Sequence, residues 1–459
     1  MKNTMYIFLA IFISVFTTGC DNNDDNLNDQ TDFGYEQYGE NFDNVPDPED
    51  AVIYQVNLRA FSEEGTIDAV TQRLDYIKEL GANVVYLMPI YPVGVENSAG
   101  GLGSPYAVRD YKAVSSEFGS LEDLQSLVEE AHNRDMAVVL DWVANHTAWD
   151  NVWVTEHPEY YERNEEGNFM PPTGTNWNDV IQLDFENPEL QDAMIDAMAY
   201  WVYNANIDGF RMDAADYVPE GFWTDAVTEI RGIKDQDMLM LAEGGEQRHL
   251  RSGFDYIFGF NFFETLKEIQ DGAPASEVQM AHAEEYQNVY NDNKRVVRYT
   301  TNHDVNLSDG TPLELFGGID GSIANFVVAA YMKSVPMIYN GQEIGYDQRL
   351  EFFTQTPIDW STGDQQVFNE YQEIIDFRKN SEALQVGEYK GYSSNDMVAF
   401  TMESEEETVL VLSNIRDNET GFLIPQNLQG EWQNVFEGST QNLEGQISLP
   451  SYSYLVLKK

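Results

Sequence analysis

Between about residue 50 and residue 380 the chain alternates short, mainly apolar runs with longer stretches whose apolar residues recur at helical spacing. The short runs are Ala51–Val56, Asn83–Met88, Ala137–Leu140, Ile207–Met212, Met238–Ala242, Val296–Thr300 and Val335–Tyr339. Mainly apolar runs of this length, alternating with helical stretches, read as strands of a parallel sheet that is covered on both faces. One unit displays the whole pattern. Ser120 and Asp123 make a capping-box start, Leu121, Leu124, Leu127, Val128 and Ala131 form one apolar face, and the apolar run Ala137–Leu140 follows. Seven or eight such units exceed what a small doubly wound sheet needs. They predict a (β/α)8 TIM barrel, with its chemistry at the carboxyl ends of the strands.

The rhythm breaks twice. From Trp149 to Asp179 the chain carries Trp149, Trp153, Tyr160, Tyr161, Phe169 and Trp177 among Pro, Gly and Asn. This predicts an irregular excursion after strand 3, at about 148–180, of a length that is usually functional. After the helix-like run Phe368–Leu384 come short alternating segments such as Thr408–Leu412 and Tyr454–Leu457. They predict a C-terminal antiparallel β-sandwich domain over 385–459, behind a barrel spanning 47–384.

The first twenty residues have a different character. Lys2, the apolar run Met5–Phe16 and the small residues Thr17, Thr18 and Gly19 precede Cys20. They read as an export signal whose apolar run is too short to span a bilayer. Cys20 is the single cysteine of the chain, so no intramolecular disulfide is available. The segment resembles a bacterial lipoprotein signal, in which such a cysteine is acylated, although Thr17 stands where that pattern usually has leucine. Residues 21–46 are rich in Asp and Asn with few aliphatic residues, which predicts a disordered acidic tether. The acidic start after Cys20 resembles sorting signals for the outer cell surface. The resulting expectation is a lipid-anchored protein of the outer membrane facing outward, with the periplasm as the alternative.

The chain has 459 residues, 42% of them hydrophobic and 13% aromatic, enough for a large catalytic domain and a smaller one. Its 79 acidic residues against 25 Lys and Arg give a formal charge of −54. Such a surface repels phosphate backbones, which excludes nucleic acid as a partner, and it suits a neutral substrate.

Four segments stand where strands should end, each placing a charged residue after apolar ones: Asp141–Thr147 (DWVANHT), Gly209–Asp216 (GFRMDAAD), Leu241–Gly244 (LAEG) and Thr301–Asp304 (TNHD). A lone Asp after a strand is more often a helix cap. Several acids converging on one barrel mouth, where desolvation is costly, make a candidate active site. In this order, with Tyr86–Pro92, Ser104–Tyr111, Gln182–Leu190 and Val335–Gly345 around them, the segments resemble the α-amylase family, glycoside hydrolase family 13, over about residues 50–459.

The resemblance implies that Asp213 is the nucleophile, Glu243 the general acid/base and Asp304 the carboxylate that stabilises the cationic sugar. A retaining glycosidase needs one ionised and one protonated carboxyl roughly 5–5.5 Å apart. Neighbouring negative charge is expected to raise Glu243. Arg211, two residues before Asp213 and so on the same strand face, is expected to keep Asp213 ionised. His146 and His303 resemble the family's pair that hydrogen-bonds the sugar hydroxyls, Tyr106 its stacking platform and Asp141 a structural acid. Trp149, Trp153 and Trp177 either line further glucose subsites or form a small core of the excursion.

Many members hold a structural calcium through an asparagine matching Asn145. Here Ala214 and Ala215 follow Asp213 where a lysine and a histidine are typical, and Gln182 occupies the place of an Asp ligand, which weakens the case for calcium. No cofactor is needed for the chemistry itself. The expected activity is cleavage of α-1,4 bonds in starch-like α-glucans or maltooligosaccharides. Neopullulanase-like or α-glucosidase-like specificity, another neutral disaccharide, and a non-catalytic surface glycan-binding lipoprotein are the alternatives.

Overall fold

The computed structural model describes residues 31–234, 236–287, 289 and 293–459. Cys20 and the signal-like segment lie outside the described residues. Eight parallel strands close into a barrel: β1 (Ile53–Val56), β2 (Val84–Leu87), β3 (Ala137–Val143), β4 (Gly209–Asp213), β5 (Leu239–Ala242), β6 (Tyr256–Phe258), β7 (Arg295–Arg298) and β8 (Val335–Tyr339). Each strand pairs with the next, and β1 closes the circle on β8, with Ile53 opposite Met337. Strand residues are buried throughout, as a sheet with helices outside and packed side chains within requires.

Strand β6 has no counterpart in the sequence reading. It is three residues long and lies in the aromatic run around Phe254–Phe263, which passes almost directly into the helix Phe260–Gln270, so neither strand length nor period separates it. The Ser120 capping box forms as expected: Ser120 Oγ accepts from Asp123 N at 3.3 Å, and Asp123 Oδ2 accepts from Ser120 N at 2.8 Å.

Two expectations are corrected. The excursion is not wholly irregular, because His146–Ala148 and Val180–Gln182 pair as antiparallel strands at its base and a short helix, Val152–Glu156, lies between. The acidic segment is not a free tether in its described part. Tyr38 N donates to Tyr203 O at 2.7 Å, Asn206 Nδ2 to Glu40 O at 2.8 Å, and the buried Phe42 stacks on His132 with ring centroids 4.2 Å apart. Local composition misses this because the groove that receives Phe42 comes from residues far away in the chain.

The C-terminal domain is antiparallel. A six-stranded sheet runs in the order Glu388–Gly391, Val398–Glu403, Thr408–Asn414, Ser453–Lys458, Gly430–Asn434 and Thr440–Leu443, and a two-stranded antiparallel sheet of Thr420–Leu423 with Gln446–Leu449 stands apart from it. Leu410, Leu412, Trp432 and Leu457 of the larger sheet form one core with Phe422 and Leu449 of the smaller one. The other face of the sheet packs on the helix Gly318–Tyr331, where Ser413 Oγ donates to Ala324 O at 3.0 Å.

Candidate active site

The carboxyl ends of the barrel strands bring Asp213, Glu243 and Asp304 to one cleft of about 580 Å³, together with Tyr106, His146 and His303. Each acid arrives by its own local device. Asp213 is the last residue of β4, and the next residue, Ala214, takes a left-handed conformation with φ of 46°. That strained turn aims the Ala214 N–H at Glu243 Oε2, 2.8 Å away. Glu243 follows β5, with its own N–H donated to Met212 O at 2.9 Å. Asp304 opens the helix His303–Ser308, which Asn302 caps by accepting from the Asp304 and Val305 N–H groups. It lies at the exposed rim, whereas Asp213 is buried.

Arg211 ties the floor together. Its guanidinium lies 2.7 Å from Asp141 Oδ1 and 3.1 Å from Asp213 Oδ1, and it also pairs with Glu243 Oε1. Asp141 Oδ2 accepts from the hydroxyls of Tyr86 at 2.6 Å and Tyr106 at 3.0 Å. Asp141 thus touches Arg211, which contacts both Asp213 and Glu243, and two tyrosine hydroxyls.

One cation among three carboxylates cannot hold them all ionised. Burial first, and then Asp304 and Asp141, raise Glu243 to about 7 against the pull of Arg211. The expectation that Arg211 keeps Asp213 low is corrected. Burial and then the adjacent Glu243 push Asp213 up as well, with Arg211 opposing, because the guanidinium is shared. Asp213 and Glu243 therefore titrate as a pair that retains protons more tightly than free carboxyls. Burial also lowers His146 to about 4 and lowers His303, so both rings are neutral near pH 7.

The structure gives Tyr106 and His303 a tighter relation than the sequence shows. The Tyr106 hydroxyl is 2.6 Å from His303 Nε2, and Gln55 Nε2 is 2.8 Å from His303 Nδ1. Sequence reasoning missed Gln55, which is buried behind His303, and it also missed Asp179, Phe352 and Phe353, which line the cleft. Phe352 packs edge-on to both Tyr106 and His303, with centroids 6.0 and 5.7 Å away. Buried Arg59 holds this wall by donating to Gly103 O at 2.6 Å and Phe352 O at 2.5 Å while paired with Glu117 at 2.7 Å. Glu351–Phe353, an acid before two aromatics in the loop that follows β8, was the available signal.

The three tryptophans separate. Trp177 lines the cleft, with its ring 5.4 Å from His146 and 5.6 Å from Tyr217. Trp153 packs on Tyr111 and Tyr160 at 4.9 and 5.7 Å, and Trp149 donates to Asn178 O at 3.0 Å. Those two are partly buried rings packed against the main barrel core, whereas Trp177 also packs on the small cluster of Ala107, Ala148 and Val180.

The residues around Asn145 do not fit a cation. Asn145 O, Asn145 Oδ1 and Leu183 O converge as three acceptors, but the side-chain amide of Gln182 donates to each of them, at 3.0, 3.0 and 3.1 Å. An N–H group in that position repels a metal ion where a carboxylate would bind it.

A closed parallel barrel whose mouth gathers three carboxylates, a shared arginine and two neutral histidines around a sugar-sized cleft is the architecture of a barrel glycoside hydrolase. The family model for the alpha-amylase catalytic domain matches residues 18–180 and 174–430, and the chain belongs to the α-amylase family of glycoside hydrolases. It is 27% identical to alpha-amylase 2 of Dictyoglomus thermophilum, over 88% of this chain and 76% of that one. It is 24% identical to neopullulanase 2 of Thermoactinomyces vulgaris, over 85% and 70%. Among solved structures, an α-amylase from Lactobacillus plantarum superimposes with a TM-score of 0.81 at 26% identity, covering 90% of this chain and 99% of that one.

Proposed function

We propose that this enzyme hydrolyses α-1,4 bonds of starch-like glucans or maltooligosaccharides with retention of configuration. The observation that carries the reading is the convergence of Asp213, Glu243 and Asp304 on one cleft with Arg211 bridging the first two. In the first step the proton that the Asp213–Glu243 pair retains sits on Glu243, which gives it to the leaving oxygen while Asp213 attacks the anomeric carbon as the carboxylate. In the second, Glu243 takes a proton from water, whose oxygen displaces Asp213. Asp304, exposed at the rim, adds negative charge beside the cationic sugar. The stacked Tyr106 and His303 offer an apolar face to the ring, and His146 offers a neutral imidazole to a hydroxyl.

A neopullulanase-type specificity is the second reading. It is favoured by the match to neopullulanase 2 over most of the chain. Digestion of amylose, pullulan and maltotriose in parallel separates the two. The α-1,4 reading expects amylose and maltotriose to be cut faster than pullulan, with the α-anomer formed first. Rapid loss of pullulan supports the second reading, β-anomer first rejects retention, and starch binding without any released sugar rejects both. On the sequence pattern alone, we also propose that Cys20 carries a lipid anchor facing the cell surface. Cys20→Ser is then expected to move the protein from the membrane to the soluble fraction.

A further inference from the structure

The Gln182 amide touches only acceptors. Two of its three partners, Asn145 O and Leu183 O, are backbone carbonyls that never donate, so Gln182 must present its NH2 and not its oxygen. The third partner, Asn145 Oδ1, is thereby held as an acceptor, which turns the other end of the Asn145 amide toward His146. Asn145 Nδ2 lies 3.3 Å from His146 Nδ1. A nitrogen that accepts this N–H carries a lone pair, so the proton of the neutral ring sits on Nε2. The strand pairing helps, since Gln182 stands directly opposite His146 in the hairpin at the base of the excursion. Asn145 and His146 are both buried, so no solvent competes for the relay.

We propose that Gln182 is a positioning residue. Its NH2 gathers the three oxygens at the base of the excursion, as a cation otherwise would, and in doing so sets the tautomer of His146 with the proton on Nε2. The inference rests on the reading that His146 faces substrate, but its stability and spectroscopic consequences do not depend on activity.

The experiment compares the full-length protein with Gln182→Glu and Gln182→Met. The glutamate variant adds further oxygens to an all-oxygen pocket, whereas the methionine variant keeps the length and removes the donor. Thermal unfolding is recorded with excess calcium chloride and with EDTA, and the His146 ring nitrogens are read by 15N NMR of histidine-labelled protein. The expected result is a wild-type Tm that is the same in both media, with the His146 proton on Nε2. Gln182→Glu loses several degrees in EDTA and regains them with calcium, while Gln182→Met is destabilised in both media. Both variants are expected to show mixed His146 tautomers in EDTA and about a tenfold loss of kcat/KM that falls mainly on KM. A wild-type Tm that drops on chelation overturns the proposal, because a resident cation would then do the gathering. So does a variant with unchanged stability and an unchanged His146 spectrum. The wild-type measurement decides even if both variants fail to fold, and an unchanged kcat/KM with every other readout as expected would count against the substrate-facing role of His146 and not against this proposal.

Discussion

Tyr106 and His303 are joined twice: their rings stack at a centroid distance of 5.4 Å, and the Tyr106 hydroxyl lies 2.6 Å from His303 Nε2. With Gln55 donating to Nδ1, the Nε2–H donates to the tyrosine oxygen, and the tyrosine proton goes to Asp141 Oδ2, 3.0 Å away. Tyr106, the proposed platform under the sugar, is thus bonded to the acid that braces Arg211. Tyr106→Phe keeps the stack and loses both hydrogen bonds, so kcat/KM should fall about tenfold with Tm nearly unchanged. Tyr106→Ala loses the face as well and should fall by about a further tenfold. Steady-state kinetics on maltotriose decide it, and a wild-type rate for the phenylalanine variant would remove the hydroxyl from the account.

Asp213→Asn removes the proposed nucleophile while replacing a buried carboxyl with a neutral group of the same shape. Turnover should drop by several orders of magnitude. Its Tm should equal or exceed that of the wild type, because the repulsion between Asp213 and Glu243 is gone. Calorimetry and a reducing-sugar assay on the same preparation check both halves.

The pH dependence follows from Glu243, which burial raises from 4.5 to about 7. The folded state binds this proton more tightly than the unfolded state, so its stabilising contribution is complete below pH 4.5 and is lost as pH rises through about 7. Activity should show an alkaline limb near the same value, since the general acid must be protonated. Glu243→Gln should be inactive yet more stable than the wild type above pH 7, with the difference vanishing below pH 4.5. Unfolding curves across that range test the sign, and a constant difference would refute the assignment.

Arg211→Met leaves Asp141, Asp213 and Glu243 without their shared cation. Removing one partner of a buried ion pair costs about 3–5 kcal/mol, so a large loss of Tm near neutral pH is expected. The loss should shrink in acid, where the carboxyls take protons instead. A Tm deficit independent of pH would mean that packing, and not charge, is what Arg211 supplies.

Trp177 and Trp153 should respond differently. Trp177→Ala removes a half-buried ring from the cleft and should raise KM for long glucans about tenfold with little change in Tm. Trp153→Ala leaves a hole beside Tyr111 and Tyr160 and should cost about 2 kcal/mol of stability with KM preserved. Paired kinetic and unfolding measurements distinguish them, and the reverse pattern would swap their roles.

Legibility in the sequence followed how local each feature is. The strand runs and the acids at their ends are chain-local, so β4 with Asp213, β5 with Glu243 and the Asn302-capped turn with Asp304 could be placed from a few residues each. Strand β6 could not, because three apolar residues beside an aromatic helix carry no period of their own. Asp179 could not either, and Phe352 had only the aromatic pair after Glu351 as a signal, since their presence in the cleft depends on loops that meet only after folding.

By itself, then, the order of residues decided that the chain makes repeated strand-helix units and that each strand end carries a particular chemical group, because backbone period, capping and burial act over short distances. Tertiary structure alone decided how one guanidinium is divided among Asp141, Asp213 and Glu243, and which way the amides of Gln182 and Asn145 point. Those outcomes depend on dielectric and on partners brought from distant parts of the chain, which no stretch of sequence contains.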